Sequence, residues 1–248
     1  MTRRHLLLSA TIFAGVGRAT VPTRQAKPER MFDSPGGHPN GLQATADGLW
    51  ILDQGDNHAY LVSWKKGKLL RSLETESDRG SGIGFDGSAI WIASTYNCKT
   101  IKADPKTGKT LAVFETPGCG QVSWGDNPNR PRTGAHGIEF KDGKMWIAVP
   151  PSETIYRLDP ATQKVEHQIP APGHRPHGIS FQGDWLWCTE SNHMAFYRLD
   201  PKTGEQTAKL ELAKDAPTPH GMSIWDGAIW YSDADGTGAI YRVPLPSL

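Results

Sequence analysis

Three histidines, His136, His177 and His220, each stand immediately before a glycine in a chain of 248 residues, and the same place elsewhere is taken by Asn40 and Ser81. Imidazoles gathered from separate segments could bind a divalent metal ion through three nitrogens and leave coordination positions open. They could also hold an anionic small molecule, or one of them could serve as a general base. A structural alternative needs no ligand: each ring hydrogen-bonds nearby backbone, with Asn and Ser as tolerated variants. A second polar set follows further along each segment: Asp53 and Gln54, Ser94 and Thr95, Pro150, Thr189 and Glu190, then Ser232 and Asp233. Glu190 would accompany His177, and Asp233 would accompany His220, orienting an imidazole, raising its basicity or sharing a cation. The alternative for both carboxylates is to cap tight turns ahead of Asn192 and Gly236.

What must position these groups is a repeat. A glycine is followed nine positions later by a tryptophan five times, at Gly41 and Trp50, Gly82 and Trp91, Gly137 and Trp146, Gly178 and Trp187, and Gly221 and Trp230. Steps of 41, 55, 41 and 43 residues between the glycines fit a unit of four short strands and not a helical solenoid. In the fourth unit Pro176 to Phe181 alternates as a first strand, Leu186 to Thr189 is a second, Ala195 to Leu199 a third and Thr207 to Leu212 a fourth. The reversal Asp200-Pro201-Lys202-Thr203-Gly204 recurs as Asp104-Pro105-Lys106-Thr107-Gly108. These are propeller blades, and the expectation is an all-β, five-bladed β-propeller over residues 28–248, with inner strands converging on one axis. After Val243 no fourth strand remains, and Phe32-Asp33-Ser34-Pro35-Gly36 matches Phe114-Glu115-Thr116-Pro117-Gly118, so the N-terminal strand is expected to close the last blade.

Between the second and third units, Cys119 to Thr133 exceeds the common period. It is expected to cross the mouth, with Trp124 stacking on a ligand and Arg130 or Arg132 holding an anionic group; a plain surface insertion is the alternative. Residues 1–19, with Arg3-Arg4 ahead of a short apolar stretch, read as a twin-arginine-like export signal, which places the mature protein in the periplasm or outside the cell and off the membrane. In that oxidising compartment Cys98 and Cys119 are the credible disulfide pair, and Cys188 is a small buried hydrophobe. Beyond residue 19 the chain carries 24 basic against 26 acidic residues, which argues against nucleic acid as a partner.

Pro176-His177-Gly178-Ile179 followed by Leu186-Trp187-Cys188-Thr189-Glu190 resembles the blade signature of the streptogramin lyase family, the virginiamycin B lyases. The likeness runs over residues 38–248 and is strongest in the fourth repeat. It implies metal-assisted elimination that opens a cyclic depsipeptide, with His177 as general base and Glu190 as a magnesium-associated carboxylate. The sequence reading is therefore an exported metal-dependent lyase acting on a small cyclic or ester-bearing molecule. His136, His177 and His220 are the metal ligands, His177 and Glu190 the catalytic pair, and Asn40, Ser81, Asp233 and Trp124 the substrate contacts. A ligand-binding propeller without chemistry and a lactonase-type hydrolase are the competing readings.

Overall fold

The computed structural model describes residues 20–122 and 132–246. Two short strands, β1 (Thr23–Ala26) and β2 (Glu29–Asp33), precede the first blade. Blade 1 is β3 (Pro39–Thr45), β4 (Gly48–Asp53), β5 (His58–Val62) and β6 (Leu69–Glu74). Blade 2 is β7 (Gly82–Phe85), β8 (Ile90–Ser94), β9 (Lys99–Ala103) and β10 (Thr110–Glu115), and a small hairpin of β11 (Gly120–Gln121) and β12 (Arg132–Thr133) follows it. Blade 3 is β13 (Gly137–Lys141), β14 (Lys144–Val149), β15 (Thr154–Leu158) and β16 (Val165–Pro170). Blade 4 is β17 (Pro176–Gln182), β18 (Trp185–Glu190), β19 (Ala195–Leu199) and β20 (Gln206–Leu212). Blade 5 holds β21 (Met222–Trp225), β22 (Ala228–Ser232) and β23 (Ala239–Pro244), with β2 as its outermost strand. The protein is thus an all-β, five-bladed propeller, and no helix among the described residues is long and apolar enough to cross a membrane.

Each blade is an antiparallel meander because strands of four to seven residues alternate with turns that reverse the chain at once. In the reversal of blade 4, Asp200 Oδ1 accepts the Lys202 amide at 2.7 Å and Gly204 takes a φ of 78°. Gln163 stands where that glycine would be in blade 3 and still adopts a φ of 58°, a left-handed conformation that costs a residue with a Cβ.

The repeat tryptophans explain how the blades hold together. Trp50 packs in the core between blades 1 and 2, Trp91 between 2 and 3, Trp146 between 3 and 4, Trp187 between 4 and 5, and Trp230 between 5 and 1. Every junction thus buries one indole, and truncating any of them to alanine is expected to cost about 3–5 kcal/mol. Phe114 lies 5.8 Å from Trp91 and Phe32 lies 6.3 Å from Trp230, so the two segments matched by sequence make the same contact. β2 pairs antiparallel with β23, Glu29 opposite Arg242 and Asp33 opposite Ala239. Nothing in the sequence pointed to β1, which lies parallel to β20 and gives blade 4 a fifth strand.

The repeat glycines explain how closely the inner strands approach. A Cβ on Gly82 would come within 3.0 Å of the His136 carbonyl oxygen, one on Gly137 would overlap the His177 carbonyl, and one on Gly221 would overlap that of Asn40. The axis at this level is too narrow for a water molecule. The ring of glycines therefore seals the channel and separates its two ends.

Candidate functional site

The histidines sit at the end of the channel where the inner strands begin. Their backbones are fixed by their own blades: the His136 amide donates to Ala148 O at 2.8 Å and the His220 amide to Ser232 O at 3.0 Å. The rings then meet edge to face, His136 and His177 with centroids 4.7 Å apart, His177 and His220 with centroids 4.8 Å apart. All three are buried. The sequence expectation that three blades deliver three imidazoles to one place holds in space.

His177 has a defined tautomer. The Ser191 hydroxyl donates to Pro219 O at 2.6 Å, so its proton is committed and its oxygen can only accept from His177 Nδ1, 2.9 Å away. The same nitrogen lies 3.3 Å from the Arg175 carbonyl oxygen, a second acceptor. Nδ1 therefore carries the proton and Nε2 carries the lone pair. Burial pushes the His177 pKa well below 6.5, and the charges of His136, His220 and Arg175 push it the same way. Burial, followed by Arg175 and His220, pulls His136 down to about 3. Both rings are neutral at physiological pH.

His220 is held differently. Its Nδ1 faces Thr218 O at 3.2 Å, while Nε2 lies 3.1 Å from Asp235 Oδ2 and 3.3 Å from Arg175 Nη2. Arg175 also reaches Asp235 at 3.3 Å. A neutral His220 accepts from Arg175 through Nε2, and a doubly protonated one donates to Asp235. The hydrogen bond from His220, with the charges of His220 and Arg175, holds the Asp235 carboxyl far below the usual carboxylate range despite its partial burial.

Glu190 is fully buried and its two oxygens are taken by backbone amides, Arg175 N at 2.7 Å and His193 N at 2.6 Å. Asp233 accepts the Thr237 amide and hydroxyl at 2.8 and 3.0 Å. Asp53, the counterpart in blade 1, accepts His38 N at 2.7 Å and Gly55 N at 2.8 Å. These bonds are those of the turn-capping alternative, and Glu190 meets Arg175 through its backbone amide. Ser81 is buried with its hydroxyl bonded to Gln54 Nε2 at 2.8 Å, whereas the buried Asn40 Oδ1 has no hydrogen-bond partner among the described residues. Trp124 and Arg130 lie outside the described residues. Arg132 is exposed, with its guanidinium near Cys119 Sγ at 3.9 Å, and Cys98 and Cys119 form a disulfide with Cα atoms 5.8 Å apart.

Sequence reasoning missed Arg175, Ser191 and Asp235. All three lie in connections; the available signal for Arg175 was its place immediately before the Pro-His-Gly run. Position four after each repeat tryptophan was partly legible: Thr95 donates to Ala135 O at 2.9 Å just as Ser191 donates to Pro219 O, tying each blade to the next below the mouth.

The histidines were also weighed as metal ligands. Nδ1–H bonded to carbonyl oxygens would suit His177 and His220 as ligands through Nε2. The Arg175 guanidinium beside His220 Nε2 does not, since it places a positive charge where a cation would sit. Among the described residues no three His, Cys, Asp or Glu side chains are set to hold one metal ion.

No protein-family model matches the chain, and no curated protein matches it. Solved structures do. Glutaminyl cyclase from Myxococcus xanthus aligns at a TM-score of 0.72 with 9% identity, over 92% of this chain and 100% of that one. A catalytically inactive virginiamycin B lyase from Staphylococcus aureus, solved with quinupristin, aligns at 0.53 with 20% identity, over 86% of this chain and 68% of that one. A streptogramin B lyase aligns at 0.50 with 21% identity, over 90% and 74%. At such identities the likeness establishes the β-propeller fold, which the chain shares with streptogramin lyases and with a glutaminyl cyclase.

Proposed function

We propose that the protein is an enzyme that moves a proton at the histidine mouth, with His177 as general base in an elimination on a small cyclic or ester-bearing molecule. The observation that carries this reading is the fixed tautomer of His177, which keeps a lone pair on Nε2 in a ring held neutral beside a guanidinium. In the reaction His177 Nε2 takes a proton from the carbon next to a carbonyl, and Arg175 stabilises the charge that grows on the carbonyl oxygen. The electrons of the C–H bond form a C=C bond, and the C–O bond to the leaving group breaks with its pair on oxygen. His220, when it carries a second proton beside Asp235, returns a proton to that oxygen. No step is routed through a metal ion. A divalent ion remains a separate proposal, supported by the Nδ1–H bonds of His177 and His220, and elemental analysis of the purified protein tests it.

A second reading starts from the fold shared with the glutaminyl cyclase: attack of an amine on a glutaminyl carboxamide with release of ammonia, for which His177 would again be the base and Arg175 the cation. A binding propeller and a lactonase-type hydrolase complete the field, and the products separate them. Elimination gives an unsaturated product with no incorporation of solvent oxygen, a lactonase incorporates it, and cyclisation releases ammonia. His177→Ala, folded as judged by its melting transition, should lose about 10³-fold in kcat for whichever of these reactions is found. Unchanged turnover in that variant would end the general-base reading.

Two features of the chain fit the same picture. The Cys98–Cys119 disulfide supports export to an oxidising compartment. The pairing of β2 with β23 supports closure of the last blade by the N-terminal strand, which joins the two ends of the chain and holds blade 5 against blade 1.

A further inference from the structure

A cleft lies between blades 3 and 4, at the end of the propeller away from the histidines. It encloses about 520 Å³, a volume within the usual range of small-molecule sites. Trp146 lines it, with Phe181 edge-on at 5.5 Å, and Lys141, Trp185, Pro201 and Lys202 border it.

The repeat allows this cleft to be compared with its sister between blades 5 and 1, where the positions of Lys141, Trp146 and Pro201 are held by Trp225, Trp230 and Trp64. There the chain fills the space with its own indole. Trp64 lies parallel to Trp225 at 5.0 Å and 4°, edge-on to Trp230 at 5.0 Å, and donates its indole N–H to Thr45 O at 3.0 Å. Between blades 3 and 4 a proline and a lysine replace the stacked pair, and the space stays open.

Charge narrows the class of ligand. Arg157 stands 5.9 Å over Trp146 and Arg198 stands 4.9 Å over Trp185, so both indoles already carry a cation. Lys144 is engaged by Asp159 and Glu166, and Arg157 by Glu166, which leaves at the rim Lys202 and Lys141, the latter 4.0 Å from the exposed Asp142 carboxylate. Of the three rim acids, Asp200 is committed to the turn amides, while Asp184 and Asp142 are exposed, Asp142 with 84% of its side chain in solvent. We propose that this cleft binds a planar aromatic anion, its ring against Trp185 and Pro201 and its carboxylate between Lys141 and Lys202.

Indole-3-acetate is the probe, titrated into the full protein while the indole N–H resonances of Trp146 and Trp185 are followed. A ligand of this size is expected to bind with a Kd of about 1 mM. Lys141→Glu and Trp185→Ala should each weaken it at least about fivefold. Pro201→Trp, which rebuilds the plug of the sister junction, should abolish binding at an unchanged melting temperature. No saturable shift up to about 10 mM, equal affinity for the neutral indole-3-ethanol, or wild-type affinity in folded Lys141→Glu and Trp185→Ala would overturn the proposal.

Discussion

The two ends of the channel carry polar rings of opposite character. At one end His136, His177 and His220 press their edges together beside Arg175, and the buried Asn40 Oδ1 has no partner among the described residues. At the other end Glu139 is buried with its needs met: Ser180 Oγ donates to Oε2 at 2.7 Å and the Phe140 amide donates to Oε1 at 2.8 Å. Ser180 in turn accepts the Ile224 amide at 3.1 Å, so this network ties together blades 3, 4 and 5. A satisfied network fixes a structure, whereas neutral bases crowded beside a guanidinium are poised to take up a proton or an anion. With the glycine ring between them, one end is closed by a satisfied network and the other is where the proposed chemistry would take place.

The two ends also respond to pH in opposite senses, which gives the largest expected effect. Burial raises the Glu139 carboxyl to about 7 from an ordinary value of 4.5. In the unfolded chain it releases its proton at lower pH, so its contribution to stability is complete below pH 4.5 and is lost as pH rises toward 7, by about 3 kcal/mol at most. The buried His136 does the reverse: the unfolded chain binds its proton first, and stability is lost as pH falls from 6.5 toward 3. In the wild type the two slopes oppose each other between pH 4.5 and 6.5. Glu139→Gln keeps an acceptor for Ser180 but cannot ionise, so urea unfolding of this variant across that window should show stability rising more steeply with pH than in the wild type. Parallel curves would mean that Glu139 does not titrate in this window.

A smaller effect sharpens the other side of the comparison. Among the described residues the Ser191 hydroxyl bonds only His177 Nδ1 and Pro219 O, so it positions His177 and links blade 4 to Pro219. Ser191→Ala should lower kcat about tenfold with little change in KM, and Ser191→Thr should restore much of it. An unaltered kcat, or a loss confined to stability, would leave Ser191 as an interblade tie alone.

The fold was legible because it is periodic. Glycine must recur where inner strands nearly touch, and tryptophan must recur where blades meet, so both stand out in the sequence. The histidine ring was legible for the same reason, since His136, His177 and His220 occupy one repeat position. Glu190 and Asp233 were harder to read. A carboxylate that caps a turn and one that assists a histidine look alike in sequence, and the clue was Asp53, which holds the same place in a blade without a histidine. Arg175 and Asp235 were harder still, because they come from connections outside the repeat positions and meet only where blade 4 packs against blade 5. The parallel pairing of β1 with β20 was equally hidden: Thr23 to Ala26 carries no apolar alternation, and its partner is 186 residues away by the Gln25–Glu211 bond.

The central claim is that His177 is a neutral base with its proton fixed on Nδ1. Nitrogen-15 NMR of histidine-labelled protein, with His177 assigned by loss of its signals in His177→Ala, measures this directly. At pH 6.5, the ordinary midpoint of the ring, His177 should be neutral with the proton on Nδ1, and Ser191→Ala should perturb that signal. A proton on Nε2, or a ring already cationic at that pH, would contradict the account.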